Sequence, residues 1–283
     1  MTTLFTVETY FAFIGLGFAV GTFGTLIGAG GGFVLMPLLL LLYPHESPEK
    51  LTSISLAIVF FNALSGSEAY AKMKRIDYKA GLIFAAATIP GAVIGALNTS
   101  YVPRRLFDII FGFLMVAAAA FLFLRPQKSV EPSRPSGSGH GMMLRRLVEV
   151  DGVTHEYAFN VRLGVILSLL VGYVSSFLGI GGGIIHVPAL VYLLHFPVHV
   201  ATATSHFILA VMALTGTAVH MWTGVFSHGV HHMISIAIGV VAGAQLGAYL
   251  SQRIQASWII RSLGLGLGLI GIRILIMVVH LRL

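Results

Sequence analysis

The chain has 283 residues, 57% of them hydrophobic and only 10% charged, against about 25% charged in an ordinary soluble domain. A soluble core of this size cannot hide so much apolar surface, so the bilayer is the expected solvent for most of it. The net charge of +7 sits in loops beside apolar spans, where Lys and Arg set topology, so nucleic acid is not an expected partner. The absence of cysteine excludes a disulfide framework, a thiolate metal site and a cysteine nucleophile.

The first apolar run carries Glu8, lacks a basic leader and is too long for a signal-peptide core, so it reads as a retained span. Apolar runs cover 8–43, 51–71, 80–97, 104–124, 161–194, 200–222, 230–250 and 257–280. A span needs about 20 residues, so six runs fit one crossing each. The runs at 8–43 and 161–194 are too long for one straight helix, and each contains a glycine cluster followed by proline. Gly28, Gly30, Gly31, Gly32 and Pro37 match Gly179, Gly181, Gly182, Gly183 and Pro188. "LTSIS" at 51–55 matches "ATATS" at 201–205, Gly66 matches Gly216, and "GAVIGA" at 91–96 matches "GAQLGA" at 243–248. The offset stays near 150, which marks an internal duplication.

The predicted fold class is therefore an all-α polytopic membrane protein. Eight hydrophobic segments arise from the duplication, and the first helix of each half is discontinuous. The predicted domains are a first transmembrane repeat (1–124), a linker (125–160) and a second repeat (161–283). Within the linker, "RPQKSVEPSRPSGSGHG" has the composition of a mobile connection. "LRRLVEVDGVTHEYAF" alternates around Asp151-Gly152, which predicts a small cytoplasmic β-hairpin with a type I′ turn. A lone hairpin is marginal in water, so it should lean on the membrane domain or on a second copy of itself in a homodimer.

Lys72, Lys74, Arg75 and Lys79 between two runs, and Arg125, Lys128, Arg134, Arg145, Arg146 and Arg162 in or beside the linker, place both segments in the cytoplasm. The loops near 44–50, 98–105 and 251–257 hold fewer cations: Lys50, Arg104, Arg105 and Arg253. Broken elements that cross once make parallel repeats. Broken elements that turn back make inverted ones. The charge pattern fits both.

A helix broken at mid-membrane frees N–H groups that attract anions, and glycine lets a ligand approach the backbone. The two clusters, Gly28, Gly30, Gly31 and Gly32 with Gly179, Gly181, Gly182 and Gly183, therefore predict paired backbone cradles for a shared anion. Close helix packing is the competing explanation, and it is the preferred one for "GAVIGA" and "GAQLGA". Thr52, Ser55, Asn62 and Gly66 share one helical face, as do Thr202, Ser205, His206, Gly216 and His220, and these faces offer donors to an oxyanion. Such hydroxyls also commonly bond their own helix. His186 and His206 replace Leu35 and Leu56 of the first copy, which makes them candidates for carrying a coupling proton. His228, His231 and His232 in "HGVHH" have metal-like spacing, but no carboxylate or thiolate lies near them in the sequence, and no metal is expected. Asp77 and Asp108 stand among basic residues and read as interface anchors. There is no His-Glu-x-x-His, Gly-x-Ser-x-Gly or Walker A motif, so neither an enzyme, a cofactor nor ATP drive is expected.

"GTFGTLIGAGGGFVLMPLL" and "GYVSSFLGIGGGIIHVPALVYLL" resemble the doubled signature of the sulfite exporter TauE/SafE family. "SGSEAYAKMKRIDY" and "GTAVHMWTGVFS" lie where that family has its small-residue helices. The resemblance covers nearly the whole chain except 125–160, and the long central segment departs from it. It implies a multi-pass secondary transporter of small anions, often sulfur-containing (sulfite, sulfonates, sulfoacetate-like compounds), in a prokaryotic cytoplasmic membrane. Two other readings remain at this stage: a metal-cation transporter using the histidines, and a membrane assembly or signalling partner that binds a protein through the hairpin.

Overall fold

The computed structural model describes residues 7–124, 141–225, 230–254 and 256–280. The linker stretch 125–140, His228 and the side chains of His231 and His232 lie outside the described residues. The chain order is α1 (Val7–Ile27), α2 (Gly32–Leu42), α3 (Pro48–Lys72), α4 (Tyr78–Thr99) and α5 (Arg104–Leu124). Two strands follow, β1 (Met142–Val148) and β2 (Thr154–Asn160). The second half is α6 (Val161–Leu178), α7 (Gly183–Pro188) with a π-helical turn at Ala189–Leu193, α8 (Val198–Trp222), α9 (Val230–Ser251) and α10 (Ala256–His280). Among the described residues, seven helices are long and apolar enough to cross a membrane.

Each long apolar run folds as a helical hairpin. α1 ends at Ile27, the chain turns through Gly28–Gly31, and α2 returns toward the face from which α1 came. α6 and α7 do the same around Gly179–Gly182. Gly31 and Gly182 are the residues that start the return helices, with φ of 76° and 75°. A side chain rarely adopts that left-handed backbone. Pro188 lacks an amide donor, and the ladder widens into the π turn directly after it.

The packing fixes the relation between the halves. A Cβ on Gly66 of α3 would meet His206 of α8, whereas one on Gly216 of α8 would meet Leu56 of α3, so these equivalent helices run antiparallel. α5 and α10 are antiparallel as well: Gly271 faces Met115 and Val116, and Gly264 faces Leu122. The broken helix of each half packs parallel to the fourth helix of the other. Gly17 and Gly21 of α1 face Ile236 and Val240 of α9, and Gly91 and Gly95 of α4 face Leu169 and Tyr173 of α6. The repeats are therefore inverted, which settles the choice the charge pattern left open. Gly91, Gly95, Gly243 and Gly247 of the two Gly-x-x-x-Gly pairs all lie against backbone of the neighbouring helix, where a Cβ would come within 2.3 Å of a carbonyl oxygen.

The two faces of the helix bundle differ. One carries the α3–α4 connection, the strands and the end of α9, with Lys72, Lys74, Arg75, Arg145, Arg146 and Arg253. This is the basic face. The 251–254 connection sits on this face, beside Lys72 and Arg75. On the opposite face, Arg104 holds the exit of α2: it donates to the carbonyls of Leu40 (2.8 Å), Tyr43 (3.3 Å) and Glu46 (2.8 Å) and pairs with Asp108 at 3.0 Å.

The hairpin leans on the membrane domain. Its strands pair antiparallel from Met142↔Asn160 to Val148↔Thr154. Leu147, Tyr157 and Phe159 are buried with Phe84, Val191 and Phe196, and the Phe196 ring lies 4.6 Å from Tyr157 and 4.9 Å from Phe159. The turn differs from the expected type I′. Gly152 has φ 86° but Asp151 does not have positive φ. The Gly152 amide donates to Glu149 O (3.1 Å) and the Glu149 amide to Val153 O (2.9 Å). This is a type I turn closed by a left-handed glycine, the three-residue hairpin loop.

Candidate substrate site at the meeting of two broken helices

The two glycine turns meet backbone to backbone at the centre of the molecule. A Cβ on Gly183 would lie 2.2 Å from the Gly28 carbonyl oxygen, and one on Gly32 would lie 2.6 Å from that of Ile180. Gly30 and Gly181 both face Val59 of α3. Each turn is tied to the other half. Ser205 donates to Gly28 O at 3.3 Å, and its counterpart Ser55 donates to Gly179 O at 2.5 Å. Thr202 lies against Gly28 and Thr52 against Gly179, again in symmetric positions. The Thr202 hydroxyl bonds back to Val198 O, while Thr52 Oγ1 is buried without a partner. In α2 the first ladder bonds run from Val34 and Leu35 to Gly31 O, so the amides of Gly32 and Phe33 precede the ladder. In the second half the bonds start at Ile185 and His186, leaving the amide of Ile184 before the ladder.

Around the first turn the symmetry ends. Thr25 Oγ1 donates to Asn62 Oδ1 at 2.7 Å, and His206 Nε2 lies 3.2 Å from Thr25 Oγ1. Thr25, Asn62 and His206 thus form one buried chain of polar contacts beside the turn. Tyr70 donates to Thr25 O at 2.8 Å, and its ring meets the His206 ring edge-on at 5.6 Å. Asn62 is fully buried, and its Nδ2 has no partner. It faces the turn, 3.0 Å and 3.2 Å from where a Cβ would stand on Gly24 and Gly31. At the position of Asn62 the second half has Met212, and at that of His206 the first half has Leu56.

The structure thus gathers all eight cluster glycines with Thr52, Ser55, Thr202 and Ser205, and sets Asn62 and His206 beside the first turn. His186 stands apart. It lies on α7 between α6 and α4, with Nε2 3.2 Å from Ser168 Oγ and its ring 6.4 Å from that of Phe84. Sequence reasoning missed Thr25 and Tyr70. Thr25 lies one helical turn before Gly28, at the position matched by Ser176 in the second copy, and that correspondence was the available signal.

Two charged clusters lock the basic face over this centre. Asp77 caps α4 through the Ala80 amide (3.1 Å), and its own amide donates to Thr204 of α8 (3.0 Å). Its carboxylate receives Arg145 Nη2 at 2.8 Å and the Tyr157 hydroxyl at 2.7 Å. Burial alone would raise its pKa, but the bonds from Arg145, Tyr157 and the Ala80 amide outweigh that and hold it below the ordinary carboxylate range. Burial and the adjacent carboxylate together push the Tyr157 hydroxyl up, so it stays a donor. Glu149 accepts from Arg75 Nε at 2.5 Å and pairs with His155 Nε2 at 2.7 Å. Its burial is likewise outweighed by these partners, and its pKa is lowered.

Comparison with known proteins gives a consistent picture. A family model described as "Sulfite exporter TauE/SafE" matches residues 13–274. The chain is 33% identical over 268 residues to the probable membrane transporter protein YunE of Bacillus subtilis, covering 92% of this chain and 95% of that one. A probable membrane transporter protein of Xylella fastidiosa is 26% identical, covering 89% and 88%. One from Methanocaldococcus jannaschii is 22% identical, covering 92% and 93%. No solved structure matches the chain.

Proposed function

The chain belongs to the sulfite exporter TauE/SafE family of membrane transporters, and from that premise we propose that it is an ion-coupled secondary transporter of small sulfur-containing anions. Sulfite, a sulfonate or a sulfoacetate-like compound would be the substrate, carried across a prokaryotic cytoplasmic membrane with the basic face inward. The observation that carries the reading is the first glycine turn. At the buried N-terminus of α2 the amides of Gly32 and Phe33 precede the helix ladder, and the unpartnered Asn62 Nδ2 faces the same turn. Both are donors, both suit an oxyanion, and the helix end adds a partial positive charge. The inverted halves offer the usual means of alternating access, with one bundle moving against the other around the central site. His206 is the coupling residue in this reading, since it bonds Thr25 and through it Asn62.

Uptake of labelled sulfite and sulfoacetate into proteoliposomes tests the proposal. Accumulation should require an inward proton gradient. Asn62→Asp keeps the acceptor for Thr25 but replaces the free donor with an anionic oxygen, and should cut uptake by about tenfold or more, roughly 1.4 kcal/mol. His206→Ala should abolish the gradient dependence between about pH 5 and 8. Equal uptake with and without the gradient would remove the coupling claim, and normal uptake by Asn62→Asp would remove the site.

A further inference from the structure

A cavity of about 690 Å³ opens on the basic face between the end of α3, the end of α9 and the hairpin turn. Three cations line it, Lys72, Arg75 and Arg253, against two carboxylates, Glu149 and Asp151. The carboxylates are already engaged. Glu149 is held by Arg75 Nε and His155, and Asp151 accepts the Val153 amide at 3.3 Å within the turn. The cations are less so. Among the described residues, Lys72 has only an exposed pair with Glu68, one turn earlier on the same helix. Arg75 is 8% exposed, yet its Nη1 has no partner. Arg253 pairs with no carboxylate among the described residues. Its guanidinium lies 4.9 Å above the Tyr249 ring and donates to the Tyr249 hydroxyl, which holds the planar fork in place.

We propose that this cavity is an oxyanion-binding site, with Arg253 and Arg75 as its guanidinium donors and Lys72 as an added charge. Guanidinium forks match sulfonate, sulfate and phosphate groups, and stacking on an aromatic ring lowers the cost of ordering one of them. Two sources share this chemistry at a membrane surface: a dissolved oxyanion and the phosphate of an anionic lipid. The site is separate from the glycine centre and does not depend on what the chain transports.

Titration calorimetry of the purified full-length chain in an uncharged detergent, with sulfate as the probe, tests it. Wild type should bind sulfate, Arg253→Gln should weaken that binding about tenfold or more, and Arg253→Lys should retain part of it. The part of the sulfate heat that Arg253→Gln removes should persist in Asn62→Asp, which separates this site from the central one. The second arm measures the unfolding midpoint in phosphatidylcholine vesicles with and without phosphatidylglycerol. A rise in midpoint with phosphatidylglycerol that Arg253→Gln loses, together with no sulfate heat, supports the site and assigns it to lipid. Midpoints without ligand check that the variants fold. The proposal is overturned if neither probe acts, if Arg253→Gln responds as wild type does, or if Asn62→Asp abolishes the sulfate heat.

Discussion

Gly183 and Gly15 show how differently one residue type behaves within one protein. A Cβ on Gly183 would stand 2.2 Å from the Gly28 carbonyl oxygen and 2.5 Å from the Ala29 Cα, both backbone of the facing turn. Neither can move without separating the two halves. Gly15 on α1 has nothing within 4 Å of that position. Gly183→Ala should therefore lower the unfolding midpoint in a fluorescence melt and impair the central contact. Gly15→Ala should raise stability by about 0.5–1 kcal/mol through helix propensity. A Gly183→Ala midpoint equal to wild type would mean that the two turns do not meet as described. Asn62 is a different case at the same scale. Its free donor is a standing cost of about 1–3 kcal/mol, and the proposed ligand gives that cost a purpose.

The β-hairpin is the element that closes the basic face. It joins the α3–α4 connection through Arg75–Glu149 and Asp77–Arg145, and it joins the α7–α8 connection through Phe196. Its stability depends on pH in a direction set by its carboxylates. Asp77 and Glu149 have lowered pKa values, so their pairing contributes fully above the ordinary carboxylate value of about 4. That contribution is lost as pH falls through the lowered values. Tyr157→Phe removes a hydrogen bond to a charged acceptor and should weaken docking by about 1.5–3 kcal/mol. Hydrogen exchange of the strand amides at neutral pH should show faster opening in this variant. It should also narrow the gap in hairpin protection between neutral pH and pH about 3. Unchanged strand protection would show that Tyr157 does not hold the hairpin to Asp77.

At the scale of the whole molecule, inverted repeats fix which loops share a side. Because the chain lacks cysteine, single cysteines can be introduced freely. Asp151→Cys on the hairpin turn and Ser47→Cys before α3 should label from opposite sides of the membrane with an impermeant maleimide. Gln252→Cys should label from the same side as Asp151→Cys. Labelling of all three from one side would contradict the arrangement. The two faces also close their re-entrant helices differently. Arg104 grips three carbonyls at the exit of α2, whereas aromatic hairpin residues cover the exit of α7. One duplicated unit has thus acquired two unlike closures.

The amino-acid sequence alone determined the membrane class, the duplication, the two broken helices and the strand pair. Each of these follows from local composition or from a pattern repeated at a constant offset. The glycine clusters, Ser55 and Ser205 were legible as a candidate site because both copies carry them. Thr25 and Tyr70 were not, since a threonine or tyrosine in an apolar run has no periodicity that distinguishes a buried hydrogen-bond network from ordinary packing. Asp151-Gly152 marked the right turn, but the wrong type, because the turn type depends on the φ of Asp151 and dipeptide preference does not settle it. The inversion of the halves was decided only by tertiary structure. Whether a broken helix crosses or returns depends on which helices it packs against. The answer lies in contacts such as Gly17 with Ile236 and Gly66 with His206, between residues far apart in the chain that no charge count or hydropathy profile can pair.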